Sequence, residues 1–205
     1  MSILRDLFGP SKDEIWGQFA NEVGGSFNAG GFWAGSKVEA SHGQWTIVLD
    51  TYTVSTGKSS ITYTRMRAPY VNPEGFQFKI YREGLFGSLG KLLGMQDVTV
   101  GYPEFDEAFI IKGNNEPQLR KLFANPKIRE LVSAQPNISF CVKDGESGFW
   151  GGGNFPPDVN ELYFQVAGVI KDLDRLRILY ELFSETLDEL CNIGAAYKDK
   201  PNVTL

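Results

Sequence analysis

Trp45-Thr46-Ile47-Val48-Leu49-Asp50-Thr51-Tyr52 is the stretch on which the fold turns. Trp45, Ile47, Leu49 and Thr51 alternate with Thr46, Val48, Asp50 and Tyr52, the two-residue period of a strand with one face against a core. A turn signal at Thr56-Gly57-Lys58 leads into Ile61-Thr62-Tyr63-Thr64-Arg65-Met66-Arg67. After Pro69, the turn Asn72-Pro73-Glu74-Gly75 leads into Phe76-Gln77-Phe78-Lys79-Ile80-Tyr81. Three alternating runs joined by short turns predict an antiparallel meander.

Upstream, Ser11 with Glu14 spells a capping box, Ile15, Trp16, Phe19 and Val23 make one apolar stripe, and Gly24-Gly25 stops it. Downstream, 98–100 and 108–111 read as short strands. Asn115 and Gln118 cap a helix carrying Leu119, Leu122 and Phe123, and Asn125-Pro126 kinks or restarts it through Ile128, Leu131 and Val132. Residues 138–142 and 162–170 predict a hairpin around a long Gly-rich loop. Asp172 then caps the strongest helix, with Leu173, Leu176, Leu179, Phe183, Leu187 and Leu190 on one side and Gly194 at its end. Residues 197–205 read as a loose tail. The fold class is therefore α+β, an antiparallel sheet with the 11–23 and 172–193 helices packed on one side.

A second pattern bears on domain organisation. Gly31-Phe32-Trp33-Ala34-Gly35 and Gly148-Phe149-Trp150-Gly151-Gly152 share Gly-Phe-Trp-x-Gly. Each follows a helix and a Ser-Phe pair, and each precedes a strand 14 residues on, at Trp45 and Leu162. The chain reads as one domain over 1–205, with two related α+β halves, 10–95 and 96–196, as the alternative. Flexible glycines around Phe32, Trp33, Phe149 and Trp150 suit anchors for a partner; rings tucked over the sheet as plugs are the competing account.

The chain has 205 residues, 42% hydrophobic and 22% charged, with net charge −5. That composition is ordinary for a globular chain, and its sign argues against general attraction to nucleic acid or anionic lipid. Cys141 and Cys191 are too few for a disulfide framework or thiolate metal site and read as buried free thiols. With no leader-like start and no apolar run long enough to span a bilayer, a cytoplasmic location is expected.

Catalytic signals are sparse. The one histidine, His42, lies in a Ser-His-Gly turn, and no Gly-x-Ser-x-Gly motif is present. No cofactor and no metal ligand set is expected, and no catalytic residue is assigned. The tightest carboxylates, Glu104, Asp106 and Glu107, alternate with Phe105 and Phe109 and read as the wet side of a strand or turn. Gly84-Leu85-Phe86-Gly87-Ser88-Leu89-Gly90-Lys91 fails the phosphate-loop pattern, with Leu85 where the first glycine belongs and Leu92 after the lysine. Leu85, Phe86, Leu89, Leu92 and Leu93 instead share a helical face suited to a membrane surface or to the protein's own core. Lys58, Arg65, Arg67, Lys79 and Arg82 accompany Tyr52, Tyr63 and Tyr81, a composition that holds acidic ligands or single-stranded nucleic acid on some sheets. Alternation places Arg65 and Arg67 with Tyr63 and leaves Lys79 with Tyr81 on a separate strand, and no RNP-type motif is present.

Gly90-Lys91-Leu92-Leu93, the run 101–113 containing Pro103-Glu104-Phe105-Asp106-Glu107-Ala108-Phe109, and Leu122, Pro126 and Leu131 resemble an uncharacterised family of bacterial proteins. The likeness covers about residues 87–145. It implies a bacterial origin and supplies no activity or catalytic residues. Members often carry transmembrane helices ahead of this region, and none is expected here, which weakens any membrane inference from the resemblance.

The leading expectation is a non-catalytic binding or scaffold domain that recognises a protein partner through the two aromatic loops and a sheet edge. A peripheral membrane or lipid-binding protein is the second reading, and an enzyme using Glu104, Asp106 and Glu107 the third.

Overall fold

The computed structural model describes residues 9–31, 35–55, 57–82, 95–144, 155–203 and 205. Helix α1 (Lys12–Glu22) starts on the capping box: the Glu14 amide donates to the Ser11 hydroxyl, and the Ser11 amide donates to the Glu14 carboxylate. It buries Trp16, Phe19 and Ala20, and the chain turns at Gly24 with φ 64°. Two strands that the sequence reading passed over follow, β1 (Ser26–Asn28) and β2 (Lys37–His42), before β3 (Trp45–Ser55) and β4 (Ser60–Val71) form the predicted hairpin.

The meander then breaks. The strand β5 (Phe78–Tyr81) does not lie beside β4. The free edge of β4 is taken by β9 (Val159–Ala167), in register from Thr64↔Val166 to Val71↔Val159, a longer ladder than the four residues of β5 could provide. Strand β8 (Ser139–Asp144) pairs with both β9 and β5. The remaining strands, β6 (Gln96–Asp97) and β7 (Ile110–Gly113), complete a nine-stranded sheet in the order β1-β2-β3-β4-β9-β8-β5-β7-β6, every pairing antiparallel.

Between β6 and β7 the expected strand or turn at Glu104–Glu107 is instead a helix, α2 (Pro103–Ala108), opened by Pro103 at its first position. Helices α3 (Glu116–Leu122) and α4 (Pro126–Ser133) start on the Asn115 and Asn125 side chains, as their sequences indicate. Helix α5 (Leu173–Asn192) starts on Asp172.

The five helices among the described residues bury their apolar faces against one side of the sheet, so the fold is α+β with two layers. Residues from both ends of the chain share that core: Trp16, Leu49, Met66, Phe78, Phe140, Phe164, Phe183 and Leu187 belong to one cluster. A buried polar tie crosses it, where the Trp16 indole N–H donates to the Ile170 carbonyl at 3.0 Å and the Thr64 hydroxyl bonds both Gly168 and Ile170. The residues expected to trail as a loose tail are partly tied down. Tyr197 bridges Val71, Pro201 is buried, and the Lys37 ammonium donates to the Leu205 carbonyl at 3.2 Å.

Candidate functional site on the outer face of the sheet

Because strand side chains alternate, the helix-covered face fixes what the opposite, outer face must carry. One register row crosses all nine strands there: Ser26, Glu39, Val48, Arg67, Tyr163, Cys141, Lys79, Lys112 and Asp97. Those of the central strands sit between residues that point into the core, such as Met66 and Ala68 around Arg67, or Phe78 and Ile80 around Lys79. A neighbouring row holds Asp50, Arg65 and Gln165, and on the other side lie Pro69, Glu161 and Lys143.

This face is polar and yet substantially buried. Arg67, Lys79 and Glu161 are 4%, 7% and 6% exposed, alongside buried Val48, Tyr163 and Cys141. Asp50 is its anionic centre: Arg65 Nε and Nη2 donate to its two oxygens at 2.5 and 3.0 Å, and Arg67 Nη2 donates at 2.8 Å. Glu161 lies 3.7 Å from Arg67, has one oxygen without a hydrogen-bond donor, and is pushed by burial above the usual carboxylate range. The Tyr52 and Tyr163 hydroxyls both donate to Gln165 Oε1, at 2.8 and 2.9 Å. Tyr52 stacks on Tyr63 with centroids 5.2 Å apart, and the Arg65 guanidinium lies 5.0 Å from the Tyr52 ring. The Lys143 ammonium sits over Tyr163, and that of Lys79 over Tyr81 at 4.8 Å. Burial lowers the affinity of both amines for their proton, and Lys112 adds to the effect at Lys79. Burial likewise raises the Cys141 thiol to about 11, so it is a neutral packing group.

The cations Lys37, Arg65, Arg67, Lys79, Lys112 and Lys143 outnumber the carboxylates Glu39, Asp50, Asp97 and Glu161 here, while the chain as a whole carries −5. Beside this patch a cavity of about 250 Å³ lies between Glu39, Thr46, Val48 and Pro69 below and Lys200, Pro201, Val203 and Leu205 above.

The expectation that alternation separates the basic residues is corrected by topology. Insertion of β9 and β8 brings Lys79 onto the same face as Arg65 and Arg67. Arg82 does not join them; it donates to the Ser133 and Gln135 carbonyls at the end of α4 and lies 4.5 Å from the Phe109 ring. Lys112 and Lys143 were missed because the predicted strands stop at 111 and 142, one residue short of each. Continuing the alternation by one position would have found both.

The other candidates fall elsewhere. Phe32, Trp33, Phe149 and Trp150, and Leu85, Phe86, Leu89, Leu92 and Leu93, lie outside the described residues. The described flanks of the two Gly-Phe-Trp loops root at opposite ends of the sheet, one beyond the Asn28–Lys37 pair and one beyond Asp144–Asn160. The outermost strands are three and two residues long, which leaves little edge for strand addition. Asp106 accepts from the backbone amides of Val100, Gly101 and Tyr102, so it shapes the entry to α2, while Glu104 and Glu107 are exposed. His42 pairs with Asp188 at 2.9 Å and stacks on Trp45, tying β2 to α5. Cys191 is only partly buried. Among the described residues no group of three or more His, Cys, Asp or Glu is gathered as a metal site, and no helix is long and apolar enough to cross a membrane.

No protein-family model and no curated protein matches the chain, which is consistent with an uncharacterised family. Among solved structures, the crystal structure of the mycobacterial trehalose monomycolate transport factor A, TtfA, superposes with a TM-score of 0.46 and 8% sequence identity. The superposition covers 94% of this chain and 98% of that one. At those values the likeness assigns neither ligand nor activity.

Proposed function

We propose that this protein is a non-catalytic binding domain that holds an acidic segment of a protein partner against the outer face of its sheet. The observation that carries this reading is the register row that gathers Arg67, Lys79 and Lys112, with Arg65 and Lys143 beside it, on a net cationic face of an acidic chain. A buried ammonium group without a counter-ion, as at Lys79, costs stability, and a folded chain keeps such a group where a ligand's negative charge offsets the cost. The tyrosines beside them add flat, amphipathic contact area. A sheet edge is the weaker docking route, given how short the outer strands are.

The test is titration of fluorescent poly-L-glutamate with wild type and with Lys79→Gln/Lys143→Gln. Binding that weakens as salt rises, and that falls about tenfold or more in the double variant, supports the reading. No binding by wild type, equal binding by the variant, or equal binding of poly-L-lysine defeats it.

A further inference from the structure

The cross-strand pair Lys79 and Lys112 is an electrostatic anomaly. The two residues stand directly opposite on β5 and β7 and point to the same face. Like charges so placed, with Cβ atoms about 4.5–5.5 Å apart, repel each other and weaken the ladder. Lys79 is 7% exposed, and among the described residues neither a hydrogen-bond acceptor nor a counter-ion faces its ammonium; the Tyr81 ring lies 4.8 Å from it, and the neutral Cys141 thiol stands opposite it on β8. Lys112 has a partner, Asp97, at 2.7 Å. That partner sits on β6, a strand of two exposed residues at the rim of the sheet, and its own side chain is 75% exposed. The pair thus has one ammonium with no anion and one held by a replaceable anion.

From this arrangement we infer that Lys79 and Lys112 form a carboxylate subsite for the acidic partner, and that Asp97 is an internal competitor standing in for the incoming group. The inference rests on the reading of the outer face given above and adds the residues that grip and the residue that opposes binding. A side-chain carboxylate entering over β5 and β7 satisfies Lys79 and draws Lys112 away from Asp97. The Asp97 side chain turns into solvent without loss of any buried contact. The exchange forms and breaks no covalent bond and moves no proton.

A competitor differs from an ordinary ion pair in the sign of its removal. Calorimetric titration with acetylated hexaglutamate at low salt separates the two. Asp97→Asn should bind about two- to fivefold tighter than wild type, the range set by one exposed ion pair. Glu104→Gln, which makes the same charge change on exposed α2, should leave affinity unchanged. Lys79→Gln should bind about tenfold more weakly. In Asp97→Asn/Lys112→Gln the gain should vanish, because the cation that Asp97 holds is gone. Circular dichroism checks that each variant folds.

Unchanged or weaker binding by Asp97→Asn, or an equal gain from Glu104→Gln, overturns the competitor. Unchanged binding by a folded Lys79→Gln overturns the subsite. Either result with intact poly-L-glutamate binding leaves the outer-face reading standing, whereas no polyglutamate binding by wild type removes both.

Discussion

Gly25 is among the least replaceable residues described, although nothing in its sequence context says more than "helix stop". A Cβ built there would stand 2.5 Å from the Glu39 carbonyl oxygen and 3.0 Å from the Ala40 Cβ, so β2 would have to move away from the end of α1. Gly25→Ala should cost about 1–3 kcal/mol in urea unfolding, in the range of overpacking elsewhere. Lys79 has the opposite sign. Burial depresses its folded-state proton affinity, so the charged form is penalised in the fold at neutral pH. For a base shifted downward, that penalty is full below the folded pKa and fades as pH rises toward the ordinary lysine value of about 10.4. Lys79→Gln should therefore melt no lower than wild type at pH 7, and the difference between the two should shrink above about pH 10. A clear fall in Tm at pH 7 would make Lys79 a structural residue. Neither effect was legible in the sequence: Gly25 depends on how closely β2 approaches α1, and Lys79 on β8 and β7 flanking it.

The helices were the legible elements because their signals are local. Capping at Ser11, Asn115, Asn125 and Asp172 is written within four residues and appears in the structure at all four. Asn125 also reaches across to α5, donating to Glu185 at 2.8 Å and Glu189 at 3.2 Å while its oxygen accepts from Lys127 and Ile128. Asn125→Ala should lower stability by about 1–2 kcal/mol, at the upper end for a cap, since one residue both starts α4 and pins it to α5. Asn125→Asp should recover part of that loss: the cap remains, but a carboxylate faces Glu185 and Glu189. Thermal melts of the pair report this directly. The strands were legible as elements but not as neighbours. Alternation identified β3, β4 and β5, yet it says nothing about which strand lies beside which; β1 and β6 are too short to show a period, and β2 carries only the small apolar Val38 and Ala40 on its buried face. Helix α2 was hidden because Phe105 and Phe109, four residues apart, also fit an alternating pattern.

For the whole molecule, sheet order converts scattered basic residues into a surface. The single layer of helices on one face puts the outward residues of β4, β9, β8, β5 and β7 on the opposite face together, so the cationic patch follows from topology more than from any motif. The same order sets a schedule for synthesis. Strand β4 is complete at Val71, but the strand that covers its edge does not begin until Val159, about 90 residues later, which is roughly 5–20 s at ordinary translation rates. Throughout that interval the longest strand of the sheet presents unpaired amides and carbonyls to whatever is near the ribosome. The nascent chain is therefore most vulnerable to wrong pairing midway through translation, and slowing elongation between codons 72 and 158 should lower soluble yield more than slowing it anywhere after codon 167.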